Sequence, residues 1–322
     1  MTFTVVRLLS PEERRKTLEA DLRAGLGSTP RWLSPIWLYD ECGSALYDEI
    51  TRLPEYYPTR REQAIFDANA DEIVRLAQCD TLVELGSGTS EKTHELLDAM
   101  VRAGSLRAFV GLDVSEEVLV ASTKAIASEY DVDVTAVVAD FHRHLDLLPL
   151  DGKRLIAFLG GTIGNFEREQ RVEFLSDLAR SMTTDDALLL GTDLVKDRKR
   201  LIAAYDDRAG VTAAFNLNVL SVINREFHAD FDISKFIHVA CFDDEHSWIE
   251  MRLRAVSDQT VRVADLDMTL RFIEGEEIRT EISTKFRNDV LDAELVAAGL
   301  SIDATFTDPG ADFRVTLARR KG

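Results

Sequence analysis

Cysteine is scarce in this chain: three in 322 residues, Cys42, Cys79 and Cys241, odd in number and far apart. That excludes a disulfide framework and a zinc site of ordinary spacing, and it suits reduced thiols in a cytosol. Long apolar runs are absent too, and none approaches the ~20 residues needed to cross a bilayer. The opening MTFTVVRLLSPEE carries too short an apolar stretch for a secretory signal. A soluble cytoplasmic protein with no membrane partner is expected. Positive charge is in deficit: 38 Lys and Arg stand against 57 Asp and Glu, a formal net charge of −19. The summed field repels polyanions, so nucleic acid is not an expected partner. The one basic cluster, Lys196, Arg198, Lys199 and Arg200, is diluted by Asp193 and Asp197 and reads as a solvated helix face. Seven prolines and 17 glycines exclude collagen-like and low-complexity classes. No internal repeat and no heptad pattern is visible, and a monomer is expected.

What is present is an alternating rhythm. Ser10-Pro11-Glu12-Glu13 reads as a helix start, and Thr59 with Glu62 repeats the capping-box signal. Short apolar runs at 81–85, 107–113, 134–139, 154–160 and 186–192 read as strands buried on both faces. Amphipathic helical patterns, such as Ser115 to Tyr130 and Glu167 to Met182, lie between most of them. Regular strand–helix alternation predicts an α/β fold, a doubly wound parallel sheet. After Asp197 come two helical stretches and then β-forming runs joined by short turns, IHVACF, SWIEMRLRAV, VRVADL, MTLRFI and IRTEISTKF. These predict an antiparallel meander. A helix at 289–298 and the strands SIDATFTD and DFRVTLARR close the chain, the last two as a hairpin at the edge of the parallel sheet. The predicted organisation is one domain from 61–196 and 286–322, and a second, discontinuous α+β domain from 1–60 and 197–285.

VELGSGTSEKT, residues 83–93, follows the first of those strands. Glycines at a strand–loop–helix turn let a ligand approach backbone N–H groups at a helix N-terminus. The third glycine of the dinucleotide fingerprint is missing, as is the Gly-Lys-Ser/Thr of a P-loop. Asp113 ends the next strand, where a carboxylate can accept from vicinal ribose hydroxyls. Asp140-Phe141 ends the third, where the acid can meet an adenine amino group and the ring can stack on the base. Glu84, Gly86 and Gly88, then Asp113, then Asp140 resemble the pattern of class I S-adenosylmethionine-dependent methyltransferases. Acids without arginines suit a cofactor that has no phosphates.

Longer strings narrow the resemblance. TRLPEYYPTR (51–60), LVELGSGTSEKT (82–93), FLGGTIGNF (158–166), LLLGTDLVKD (188–197), YDDRAGVTAAFN (205–216) and EISTKF (281–286) occur in this order. Together they resemble the histidine-specific Nα-methyltransferases of ergothioneine biosynthesis, from about residue 15 to the C-terminus. The resemblance implies a Rossmann-like class I fold and a substrate-binding domain. It implies trimethylation of the α-amino group of L-histidine to hercynine, through mono- and dimethylated intermediates, with S-adenosylmethionine as methyl donor. By position it assigns Gly86, Lys92, Asp113, Asp140 and Phe141 to the cofactor. Tyr56, Asn165, Tyr205, Glu281 and Ser283 are assigned to histidine, with Tyr39, Gly161, Met251 and Ile282 beside it.

The residues make chemical sense of that assignment. Methyl transfer from a sulfonium to an amine needs alignment of the two reactants, but no covalent nucleophile and no metal. The six histidines do not cluster, and His94, His142 and His144 read as solvated or structural. Glu281 and Ser283 alternate in a strand and share a face, a carboxylate and a hydroxyl suited to an imidazole. Asn165 offers a donor and an acceptor for an amino-acid carboxylate. Tyr56 and Tyr205 can donate hydrogen bonds and present π faces to a quaternary ammonium. For the amine proton, Tyr39 or Tyr56 is the expected route, directly or through water. Two other readings stay open on sequence alone: a methyltransferase acting on another amino acid or small amine, and a non-catalytic S-adenosylmethionine-binding protein.

Overall fold

The computed structural model describes residues 2–88, 93–141, 143–145 and 152–321. From the N-terminus the elements are β1 (Phe3–Arg7), α1 (Pro11–Gly27), β2 (Arg31–Trp32), α2 (Glu41–Arg52) and α3 (Pro58–Ala77). Then come β3 (Thr81–Leu85), α4 (Thr93–Arg102), β4 (Ala108–Asp113), α5 (Glu116–Glu129), β5 (Asp133–Val138) and β6 (Arg154–Phe158). They are followed by α6 (Arg168–Ser181), β7 (Ala187–Asp193), α7 (Arg198–Ala203), α8 (Val211–Phe227), β8 (Phe236–Asp243) and β9 (Trp248–Ala255). The chain ends with β10 (Gln259–Val263), β11 (Met268–Phe272), β12 (Glu277–Thr284), α9 (Asn288–Ala297), β13 (Leu300–Thr307) and β14 (Phe313–Arg320). These elements gather into two compact units, one from 1–10, 58–195 and 285–322, the other from 11–57 and 196–284.

In the first unit the described strands form one sheet in the order β1-β5-β4-β3-β6-β7-β14-β13. β1, β5, β4, β3, β6 and β7 run parallel, while β14 is antiparallel to both β7 and β13. β3, β6 and β7 are buried at every residue, because helices cover both faces. Leu82, Phe109, Val134 and Leu189 pack into a core on one side, and Val83, Leu112, Val137 and Leu190 into a core on the other. The helix limits follow local chemistry: α6 opens with a reciprocal capping box between Glu167 and Gln170, and α5 is flanked by Ser115 and Tyr130. This is the Rossmann-like sheet with a terminal antiparallel hairpin that the sequence predicts.

Three expectations are corrected. Residues 3–7 lie in the large sheet, paired in parallel with β5 from Phe3↔Val134 to Arg7↔Val138, and not with the segment that follows them. The edge of β5 has open N–H and C=O groups, and FTVVR satisfies them. Thr59 is not a helix cap, because α3 starts at Pro58 and the Thr59 hydroxyl has no hydrogen-bond partner. Glu62 turns inward instead, fully buried. Finally, the meander is not continuous. β10 and β11 pair only with each other among the described strands, and β12 returns along β9 to give the order β2-β12-β9-β8.

The second unit is that four-strand sheet and the β10–β11 hairpin with α1, α2, α7 and α8. Its own core contains Leu22, Trp37, Phe215, Leu220, Phe227, Leu253 and Phe272. Among the described residues no helix is long and apolar enough to cross a membrane.

Candidate active site

In the first unit the carboxyl ends of β3, β4, β5 and β6 collect most of the acids and glycines singled out above. Gly86 follows β3 with φ +69°, a left-handed turn that suits glycine. Its N–H donates to Leu112 O at 2.9 Å, tying the turn to the end of β4. Buried Glu84 braces the same turn from below, accepting from Ser87 Oγ at 2.8 Å and Thr93 Oγ1 at 2.5 Å. A Cβ built on Gly86 would lie 3.9 Å from the Phe141 ring, so the turns after β3 and β5 close on each other. Lys92 lies outside the described residues.

Asp113 accepts from Ser115 N at 2.9 Å on one oxygen and from Gly88 N at 3.1 Å on the other. Burial pushes its carboxyl pKa up, and the backbone N–H groups of Ser115, Gly88 and Val114 pull it back. A carboxylate offers about four lone-pair sites, so Asp113 keeps acceptor capacity beyond its backbone donors. Asp140 is half-buried, with Arg143 3.9 Å from its carboxylate. Phe141 packs edge-on against Phe158 and Phe174, which fixes its ring plane.

Gly160 and Gly161 follow β6 with φ of +73° and +72° and open the short turn Thr162–Asn165. Buried charges hold both ends of this loop. At the start, Gly160 N donates to both Glu62 carboxylate oxygens, at 2.9 and 3.0 Å. At the end, Arg171 Nη1 donates to Phe166 O at 3.1 Å, while its other nitrogens bind Glu294 at 2.7 and 3.0 Å. Asn165 is half-buried between these anchors.

In the second unit, Tyr205 follows α7, and its hydroxyl lies 2.8 Å from Ser283 Oγ on β12. Glu281 and Ser283 are both nearly buried, at 8% and 7% exposure. Met251 on β9 stands directly opposite Glu281 in the ladder. Ile282 pairs with Glu250 and points to the other side of the sheet from Glu281 and Ser283. The Tyr205 ring sits 6.1 Å from that of Tyr56, which is 6.2 Å from Tyr47. Tyr39 continues the cluster, 5.6 Å from both Tyr47 and Phe215. Burial, then the neighbouring Tyr47, Tyr205 and Tyr39, raise the Tyr56 pKa well above its usual value. Tyr56 is therefore a neutral phenol across ordinary pH, a donor and not a resident base.

Tyr47 and Arg171 carry no sequence signal that separates them from ordinary helix residues. Glu84 does, as the acid three residues before Ser87 in a strand with no other charge.

The profile of a family described as histidine-specific, S-adenosylmethionine-dependent methyltransferases matches residues 18–320. A histidine N-alpha-methyltransferase of Mycolicibacterium smegmatis is 52% identical over 99% of this chain and all of its own length. One from Mycobacterium tuberculosis is 51% identical over the same shares. Ergothioneine biosynthesis protein 1 of Neurospora crassa is 32% identical over 66% of this chain and a quarter, 25%, of its own.

Proposed function

The chain belongs to the histidine-specific, S-adenosylmethionine-dependent methyltransferase family, and from that premise we propose that it trimethylates the α-amino nitrogen of L-histidine. The product is hercynine, and the reaction an early step of ergothioneine biosynthesis. The first unit carries the residues assigned to the cofactor, and the second carries the strand with Glu281 and Ser283.

S-adenosylmethionine supplies an electrophilic methyl group on a sulfonium sulfur. The turn at Gly86 leaves backbone open to the cofactor, Asp113 has acceptor capacity for its ribose diol, and the fixed ring of Phe141 offers a face for adenine. Lys92 is assigned to the cofactor through the resemblance alone. The protein's own task is to bind histidine in one orientation with its amine lone pair free. Glu281 and Ser283 receive the imidazole, one as acceptor and the other as either partner. Tyr205 orients the Ser283 hydroxyl. Asn165 and Gly161 are assigned to the carboxylate of the amino acid, and Met251 to the wall beside Glu281. Tyr39, Tyr47 and Tyr56 present faces that tolerate the growing positive charge of a methylated ammonium. Because Tyr56 stays protonated, the amine proton goes to water, with a tyrosine hydroxyl at most relaying it.

The observation that carries this reading is the buried Tyr205–Ser283 contact, two residues along β12 from the buried carboxylate of Glu281. A sensor of S-adenosylmethionine needs no such group, and an apolar acceptor offers this carboxylate and hydroxyl no hydrogen bond. Incubation of the purified protein with S-adenosylmethionine and a panel of amino acids, followed by mass spectrometry, tests it. Mono-, di- and trimethylated histidine should accumulate in succession. Methylation of another amino acid with histidine inert overturns the proposal. The chain is further read as a cytoplasmic monomer, which its free thiols suit and light scattering of the purified protein tests.

A further inference from the structure

Behind Tyr205 lies a polar cluster with no residue among those assigned to histidine or cofactor. Asn216, on α8, is fully buried. Its amide nitrogen lies 2.9 Å from His238 Nδ1 on β8 and 3.1 Å from Arg252 O on β9. Its amide oxygen accepts from Thr280 Oγ1 on β12 at 2.5 Å. His238 Nε2 lies 2.8 Å from Tyr205 O. The directions of these bonds are determined. A carbonyl oxygen can only accept, so His238 Nε2 carries the proton and donates to Tyr205. In the neutral ring Nδ1 is then an acceptor, met by an Asn216 N–H, while the second N–H of that amide goes to Arg252 O. Burial lowers the His238 pKa against the pull of the Tyr205 carbonyl and of Asp206 and Asp207, which keeps the ring neutral.

Thr280 gives this cluster its reach. Arg279 pairs with Arg252 and Glu281 with Met251, so Thr280 is the extra residue of a β-bulge in β12. Its hydroxyl lies 3.0 Å from Met251 O, at the gap the bulge leaves in the ladder. The bulge sets which face Glu281 and Ser283 take, since one residue of slip inverts every side chain beyond it. One buried amide is thus joined at one end to the main chain of Tyr205 and at the other to the bulge that aims Glu281.

We propose that Asn216, through His238 and Thr280, is a positioning hub that fixes the geometry of the acceptor-binding side chains Tyr205, Glu281 and Ser283. The inference rests on the assignment of those three residues to histidine. None of the hub residues need touch the acceptor; they act through Tyr205 and the bulge. Loss of the hub therefore acts on acceptor affinity and leaves the cofactor side intact.

The test uses the full chain with three substitutions: His238→Phe, His238→Gln and Thr280→Val. For each, the KM for histidine, kcat and the Kd for S-adenosylhomocysteine are measured. Phe removes both ring hydrogen bonds, and Val removes the hydroxyl at the bulge at nearly constant volume. Both should raise the histidine KM at least tenfold while the Kd for S-adenosylhomocysteine stays within twofold. Gln can still donate to Tyr205 O and should recover most of the affinity lost in His238→Phe. Should His238→Phe fail to fold, Thr280→Val carries the test alone. A histidine KM within twofold of the parent in Thr280→Val, or a parallel loss of S-adenosylhomocysteine affinity, overturns the hub. Absence of histidine methylation by the parent protein is a separate result, which strikes the functional assignment itself.

Discussion

Glu281 is a carboxylate on a strand with 8% of its surface exposed, so a hydrogen bond made to it forms largely out of water. If the imidazole of histidine bonds to this carboxylate, Glu281→Ala removes a hydrogen bond to a charged group, about 1.5–3 kcal/mol. The histidine KM should then rise by about ten- to a hundredfold, since about 1.4 kcal/mol is a factor of ten. Isothermal titration with S-adenosylhomocysteine should give an unchanged Kd, and an equal loss on both ligands would remove Glu281 from the acceptor side. Tyr56 makes the opposite kind of prediction. Its pKa is raised in the folded protein, so the proton is held below the usual tyrosine value and is lost only above it. No limb of the pH–rate profile below about pH 10 belongs to this phenol. Tyr56→Phe should lower kcat/KM through the lost donor yet leave the shape of the profile unchanged. A profile whose alkaline limb vanishes in the variant would show that Tyr56 titrates in turnover. At this scale the sequence was readable where alternation alone decides the matter, as for Glu281 and Ser283. It was not readable for Tyr47, whose place beside Tyr56 comes from how α2 packs.

Among the elements, the loop from Gly160 to Phe166 is the one whose shape depends most on distant residues. Two left-handed glycines start it, and a glutamate 98 positions upstream and an arginine five positions downstream hold its ends. Glu62→Ala would leave the half-buried N–H of Gly160 without this acceptor, costing up to about 1–3 kcal/mol. We expect a lower Tm together with a lower kcat/KM, and Glu62→Gln, which keeps one oxygen, should fall between Ala and the parent. Thermal unfolding and initial rates measure both; full activity in Glu62→Ala would mean the loop keeps its shape without the clamp. Strands β3 to β7 could be read from the sequence because two-sided burial writes them as continuous apolar runs. The closing hairpin could be read because its two runs follow α9 closely. Pairing partners were a different matter. FTVVR satisfies the edge of β5 across 130 residues of chain, and no local pattern encodes that. The separation of β10–β11 from β9 and the bulge at Thr280 are decided by packing as well, since the residues involved read as ordinary strand.

For the molecule as a whole, the net charge of −19 acts on the two forms of the cofactor differently. S-adenosylmethionine carries a sulfonium and is a net cation near neutral pH, whereas S-adenosylhomocysteine is a zwitterion with no net charge. A strongly negative chain, with Glu84, Asp113 and Asp140 at the carboxyl edge of its large sheet, attracts the first and is indifferent to the second. The effect favours loading of the donor and release of the spent cofactor in each turnover. Salt screens such a field over about 8 Å at physiological ionic strength and about 3 Å at 1 M. Raising NaCl from low to high concentration should therefore weaken S-adenosylmethionine binding about severalfold while the Kd for S-adenosylhomocysteine holds nearly constant. Titration calorimetry of both ligands across a salt series measures the ratio directly. If the two affinities fall together, the charge of the chain does not discriminate donor from product, and exchange must be governed by contacts to the sulfur and its methyl group alone.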